Sequence, residues 1–210
     1  IRAIAGRTGG KVDVVAHSLG SLSARAAAKW WPDAAGLVDD MVLVAGMHHG
    51  NIHDLWLCAT PCMPSAWQSR PGSRFLGALN AGDETPGAVS YTSVYSLTDL
   101  AVPELPGPPT SELAGASNIA IQRLCPARFV DHPQVVSDAA TFAVAMDALA
   151  HPGPADPARV DRSVCLQGVA PGVELGRALA YELTWYRDLV VRGQEQTTDR
   201  EPPLAPWAVP

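Results

Sequence analysis

Residues 11–20 read KVDVVAHSLG and residues 21–31 read SLSARAAAKWW. The β-branched run at 11–16 predicts a short buried strand. The alanine-rich stretch at 19–31 predicts a helix, closed by Pro32. A strand that turns straight into a helix leaves almost no room at the turn. The residues two before and two after its centre must be small, because strand and helix nearly touch there. Ala16 and Gly20 meet that demand around Ser18, with Ala16 in the place more often held by glycine. Such a turn lifts the Ser18 hydroxyl above the sheet edge. It also aims the Leu19 backbone N–H, at the helix start, toward any negative charge that develops there. Ala16-His17-Ser18-Leu19-Gly20 therefore reads as a nucleophile elbow, with Ser18 the nucleophile and Leu19 N–H an oxyanion donor. The plainer alternative is a serine N-cap on an ordinary helix.

Further strands are expected at 41–45 (MVLVA), 89–95 (VSYTSVY) and 118–124 (NIAIQRL), and a helix at 135–149. Strands alternating with helices argue for a mostly parallel sheet with helices on both faces. With the elbow, that is the α/β-hydrolase fold. Upstream, Gly9-Gly10 reads as a helix stop. The long Pro- and Gly-rich stretches at 48–72 and 102–117 are expected to line a ligand crevice, if they leave the carboxyl ends of strands. After Pro152 the chain turns loop-like, then helical at 173–191, and ends on the proline-rich EPPLAPWAVP. Residues 1–152 are thus read as the catalytic domain and 153–210 as an extension packed on it. The sequence opens at Ile1 with no leader pattern. The first strands and a second oxyanion loop are expected upstream. Residues 1–210 alone are expected to be nearly inactive and prone to aggregate.

A serine nucleophile needs a base, and the base needs an orienting carboxylate, in the chain order Ser, acid, His. Asp99 sits just past a predicted strand, as the acid should. Asp83 and Glu84 read as a solvated turn, and Asp54 lies in a less usual place. His132, in RFVDHPQ, sits in the loop after the last predicted strand. His151 comes after a full helix, and His17 cannot turn back onto Ser18. The Asp131 side chain is expected to point away from its neighbour's ring. Candidate pocket walls are Met47, Trp56, Trp67, Leu100, Val102 and Val130, and the 173–191 helix is either a pocket rim or plain core packing.

Composition narrows the class. Hydrophobic residues make up 47% and charged residues 17%, a globular balance, and the net charge of −6 without a basic run argues against nucleic-acid binding. No stretch is long and apolar enough to span a membrane. Cys58, Cys62, Cys125 and Cys165 are even in number and lack paired metal-ligand spacing. They suggest two disulfides and an oxidising compartment, against the alternative of four buried thiols. His48, His49 and His53 with Asp54 invite a metal reading, but Gly50-Asn51 disfavours the helix it needs. A surface or pocket-lining role is the plainer one.

The ordered blocks PSAWQSRPGSRFLGALN (64–80), YTSVYSLTDLAVPE (91–104) and NIAIQRLCPARFVDHPQV (118–135) resemble the secreted lipase family of Candida antarctica lipase B and its actinobacterial relatives. The elbow AHSLG is nearer to small bacterial lipases of the same superfamily. The likeness covers residues 11–149, and more loosely those to 193. It implies a Ser18–Asp99–His132 triad, ester hydrolysis without a cofactor or metal, and a Cys125–Cys165 disulfide. Cys58 and Cys62 have no counterpart in the pattern, so their pairing rests on the even count. Two departures stand out. The pattern's acidic pocket residue after the second strand is replaced by Ala-Gly-Met47-His48-His49. The carboxylate following the catalytic Asp is replaced by Leu100. Acyl selectivity is therefore expected to differ.

The leading expectation is a secreted lipase or esterase acting on triacylglycerol or short-chain esters, with transient contact to a lipid interface. An acyltransferase or polyesterase would use the same triad. An inactive remnant or interaction module is the non-enzymatic alternative.

Overall fold

The computed structural model describes residues 1–104, 109–192 and 196–208. Four strands, β1 (Val12–His17), β2 (Val38–Val44), β3 (Ser90–Tyr95) and β4 (Ser117–Ala120), form one sheet in sequence order. All three pairings are parallel, with Val15 beside Val42, Val42 beside Thr92, and Thr92 beside Ser117. Parallel neighbours need crossover connections, and the helices supply them. In chain order these are α1 (Arg2–Thr8), α2 (Leu19–Trp30), α3 (Pro32–Ala35), α4 (Ile52–Leu57), α5 (Pro64–Ser69), α6 (Arg74–Asn80), α7 (Ile121–Leu124), α8 (Ala139–Ala150) and α9 (Leu175–Arg192).

The alternation of side chains along β2 decides which helix covers which face. Met41 and Leu43 pack with Ala24 and Ala28 of α2 and with Tyr91. Val42 and Val44 point the other way, into a core built with Val94, Ile119, and Ala140, Val144 and Ala148 of α8. A parallel sheet covered by helices on both faces is the layering that the α/β-hydrolase expectation requires. Ala155, Val160 and Val164, beyond residue 152, share the α8 core.

The N-terminal helix ends as its sequence suggests. Gly9 takes φ 70°, and its N–H donates to the Ala5 carbonyl. Elsewhere the structure differs from the pattern. The run NIAIQRL is strand only to Ala120, and Ile121–Leu124 then coils into α7. A short apolar run does not distinguish strand from buried helix by periodicity. The helix expected from residue 135 starts at Ala139, where the Asp138 carboxylate caps it by accepting from Thr141 N. The stretch 48–72 holds α4 and α5 rather than open loop, with Asn51 capping α4 and Pro64 opening α5. Residues 105–108 of the 102–117 loop, and the last two residues of the proline-rich tail, lie outside the described residues.

All four cysteines are bonded, Cys58 to Cys62 and Cys125 to Cys165. The longer-range bond ties the segment after β4 to the 3₁₀ turn Arg162–Leu166. Arg128 reinforces it, donating to the carbonyls of Cys165, Gln167 and Gly168 and to the buried Asp138 carboxylate.

Candidate active site

Ser18 stands between the end of β1 and the start of α2, with φ 56° and ψ −128°. That left-handed φ favours glycine, and a serine holds it only where its surroundings fix the backbone. Here the Ser18 N–H donates to Val44 O at 2.9 Å, tying the turn to β2. A Cβ added at Gly20 would lie 4.0 Å from that of Ala16, so strand and helix are within contact distance there.

The Ser18 hydroxyl lies 2.8 Å from His132 Nε2, and His132 Nδ1 lies 2.7 Å from Asp99 Oδ2. A carboxylate only accepts, so Nδ1 carries the proton and Nε2 is left to accept from the serine. The structure thus brings together Ser18, Asp99 and His132, which lie on three separate loops. Asp99 and His132 are buried, at 5% and 1% exposure. The other Asp99 oxygen accepts from the backbone N–H groups of Ala101 and Val102.

Neighbouring groups fix these loops, and the bonds by which they do so do not show in the sequence. Asp131 turns from the His132 ring, and its Oδ1 accepts from Leu100 N and His132 N, each at 2.7 Å. One carboxylate therefore joins the acid loop to the histidine loop. Its other oxygen accepts from the Tyr186 hydroxyl of α9. Gln122 of α7 donates to Ser96 Oγ, Thr98 Oγ1 and Arg128 O, and accepts from Leu97 N. The only advance sign of Gln122 was a polar side chain inside an apolar run.

Ser18 and His132 open onto a cleft of about 780 Å³, with Asp99 buried behind the histidine. Leu19, Met47, Trp56, Leu100 and Val102 line it, as do Trp185, Tyr186 and Leu189 of α9. Two expected wall residues lie elsewhere. Trp67 packs on the Cys58–Cys62 region and donates from Nε1 to Thr198 O, because α5 turns its indole toward the C-terminal segment. Val130 is buried in the α8 core and borders the neighbouring cavity beside Cys125 and Phe129.

Asp54, in the first turn of α4, puts an acidic side chain on the cleft and accepts from Ser69 Oγ at 2.6 Å. Burial is the main cause that lifts its pKa to about 6, against the opposing pull of Ser69 and His53. The three clustered histidines diverge. His49 meets Glu84, and His53 donates to Leu100 O. His48 is fully buried, and among the described residues neither ring nitrogen has a hydrogen-bond partner. His151 pairs with Asp147. Among the described residues, the only grouping of three potential metal ligands is Asp13, Asp39 and Asp40, at the amino ends of β1 and β2.

Comparison with known proteins places this geometry. Aspergillus fumigatus lipase B, known from a crystal structure, superposes with a TM-score of 0.89 and is 30% identical. The match covers 99% of this chain and 53% of that one, so the chain spans about half the length of that relative. None of the curated protein sequences matches. The profile of the family Lipase (class 2) matches residues 1–140. The chain therefore belongs to the class 2 lipase family.

Proposed function

We propose that the chain carries the catalytic centre of a secreted serine carboxylic-ester hydrolase acting on triacylglycerol or shorter-chain esters. The observation that carries the reading is the Asp99–His132–Ser18 hydrogen-bond chain at the mouth of a largely apolar cleft. In this reading Ser18 Oγ attacks the ester carbonyl while His132 Nε2 takes its proton. The Leu19 N–H stabilises the oxyanion of the tetrahedral intermediate. His132 then passes the proton to the leaving alcohol, and the acyl group stays on Ser18 until water, activated by the same imidazole, releases it. Asp99 keeps the imidazole in the productive tautomer and balances its transient charge. These steps need no cofactor.

Met47, Val102 and Leu189 supply the apolar wall for an acyl chain, and Asp54 with Ser69 a polar strip beside it. Trp56 and Leu57 of α4, with Leu100 and Leu189, are exposed along the cleft and suit transient contact with a lipid surface. Two disulfides fit an oxidising compartment, and among the described residues no helix is long and apolar enough to cross a membrane. Residues 1–152 carry the catalytic elements, and 153–210 extend the same core.

Ser18→Ala tests the reading in the full chain. Turnover of p-nitrophenyl esters is expected to fall by about 10⁴–10⁶, with loss of fluorophosphonate labelling and an unchanged circular dichroism spectrum. Retention of more than about a tenth of the activity would refute it.

A further inference from the structure

His17 precedes Ser18 and so belongs to the elbow, yet the chemistry above gives it no task. It cannot reach back to its neighbour's hydroxyl. Instead its Nε2 lies 3.2 Å from the His132 carbonyl oxygen, and its ring packs 4.7 Å from the His132 ring, tilted by 38°. We propose that His17 is a positioning residue that holds His132 in register with Ser18 and Asp99. The proposal rests on the assignment of those three residues made above.

The ways in which His132 is held make the case. Its Nδ1 is fixed by Asp99, its backbone N–H by Asp131, and one side of its ring by Trp185, with centroids 5.3 Å apart. His17 holds the remaining backbone group, the carbonyl, and adds a second ring contact. It sits on the last residue of β1, the rigid element that also sets Ser18. Nucleophile and base are therefore referenced to the same strand, one through the backbone and the other through this imidazole.

The chemistry of the contact also selects the residue type. A carbonyl only accepts, so His17 Nε2 carries a proton. Burial is the main force lowering its pKa to about 4, with His132 adding repulsion, so the ring stays neutral. When His132 takes the serine proton it becomes a cation. A neutral neighbour that donates to its carbonyl holds it without repelling that charge, which a lysine or arginine would do. Phenylalanine would give the ring contact without the hydrogen bond. Glutamine would give a donor without the ring.

The experiment compares His17→Phe, His17→Ala and His17→Gln with the parent in the full chain, reading kcat and KM for a p-nitrophenyl ester, the rate of fluorophosphonate labelling, and Tm. A misplacement of about 1 Å costs up to about a hundredfold in rate. His17→Phe and His17→Ala are therefore expected to lose about ten- to a hundredfold in kcat and in labelling rate, with KM within about twofold. His17→Gln is expected to recover much of the loss. Phenylalanine preserves bulk in the site, so its variant reports even if the alanine variant folds poorly. Parent-like kcat in His17→Phe, or a change in KM alone, overturns the proposal. Ser18→Ala serves as the control. If it still hydrolyses ester, the triad assignment fails and the positioning role falls with it. If it is inactive while His17→Phe matches the parent, the positioning role alone fails.

Discussion

Removing the Cys125–Cys165 bond should destabilise the chain about twice as much as removing Cys58–Cys62. The two bonds close loops of very different length, with sequence separations of 40 and 4. A cross-link acts mainly by restricting the unfolded chain, and its entropy grows with the logarithm of loop length. The relation gives about 13 cal/mol/K for the long loop and about 6 for the short one, or about 4 and about 2 kcal/mol at room temperature. In a chain of this size each kcal/mol moves Tm by about 2–4 °C. The double variant Cys125→Ser/Cys165→Ser should therefore melt about 8–16 °C below the parent, and Cys58→Ser/Cys62→Ser about 4–8 °C below it. Arg128 still joins the same segments through its hydrogen bonds to residues 165–168, so native geometry near His132 should survive. Ester hydrolysis measured well below the lowered Tm should then stay close to that of the parent. Calorimetry and urea unfolding check the energies. Equal losses for the two pairs, or a larger loss for the short loop, would refute the reasoning from the unfolded state.

Two further outcomes follow from buried polar groups. Asp54 has a folded pKa of about 6, above its ordinary value of 3.8, so the folded chain binds the extra proton and loses stability as pH rises through 6. Asp54→Asn should gain stability over the parent above pH 6 and lose that advantage toward pH 4. A pH-independent difference in urea midpoints would contradict this. His48 is fully buried with both ring nitrogens unpartnered among the described residues, so His48→Leu, of similar volume, should raise stability by about 1–3 kcal/mol, as read by urea unfolding. A loss would mean that the imidazole is satisfied after all.

What could be read in the sequence was whatever is written locally. The elbow needs small residues at 16 and 20 and a strand and helix around them, and all of this lies within twenty neighbouring positions. The MVLV part of β2 and the aromatic and β-branched residues of β3 show as strand-forming stretches because both faces are buried there. The division of 118–124 between β4 and α7 was not legible, since an apolar run fits either form. Helices α4 and α5 were hidden in a Pro-rich stretch, although Asn51 and Pro64 are ordinary helix-start signals. The placement of Asp54 in the cleft depends on α4 and so was lost with it. Contacts such as Tyr186 to Asp131 and His17 to the His132 carbonyl join residues far apart in the chain, and no local pattern encodes them.

The backbone of Ser18 also bears on attempts to make this protein more robust. Its φ of 56° is one of two positive values held by non-glycine residues among those described, the other being Ala45. Such conformations cost about 1–3 kcal/mol each, and glycine relieves most of that cost. A design procedure that scores folding alone would rank glycine at position 18 as an improvement, and under the proposed mechanism that change removes the nucleophile. Thermal hardening of this fold therefore has to hold position 18 constant and seek its gains elsewhere, with an activity screen beside every stability screen.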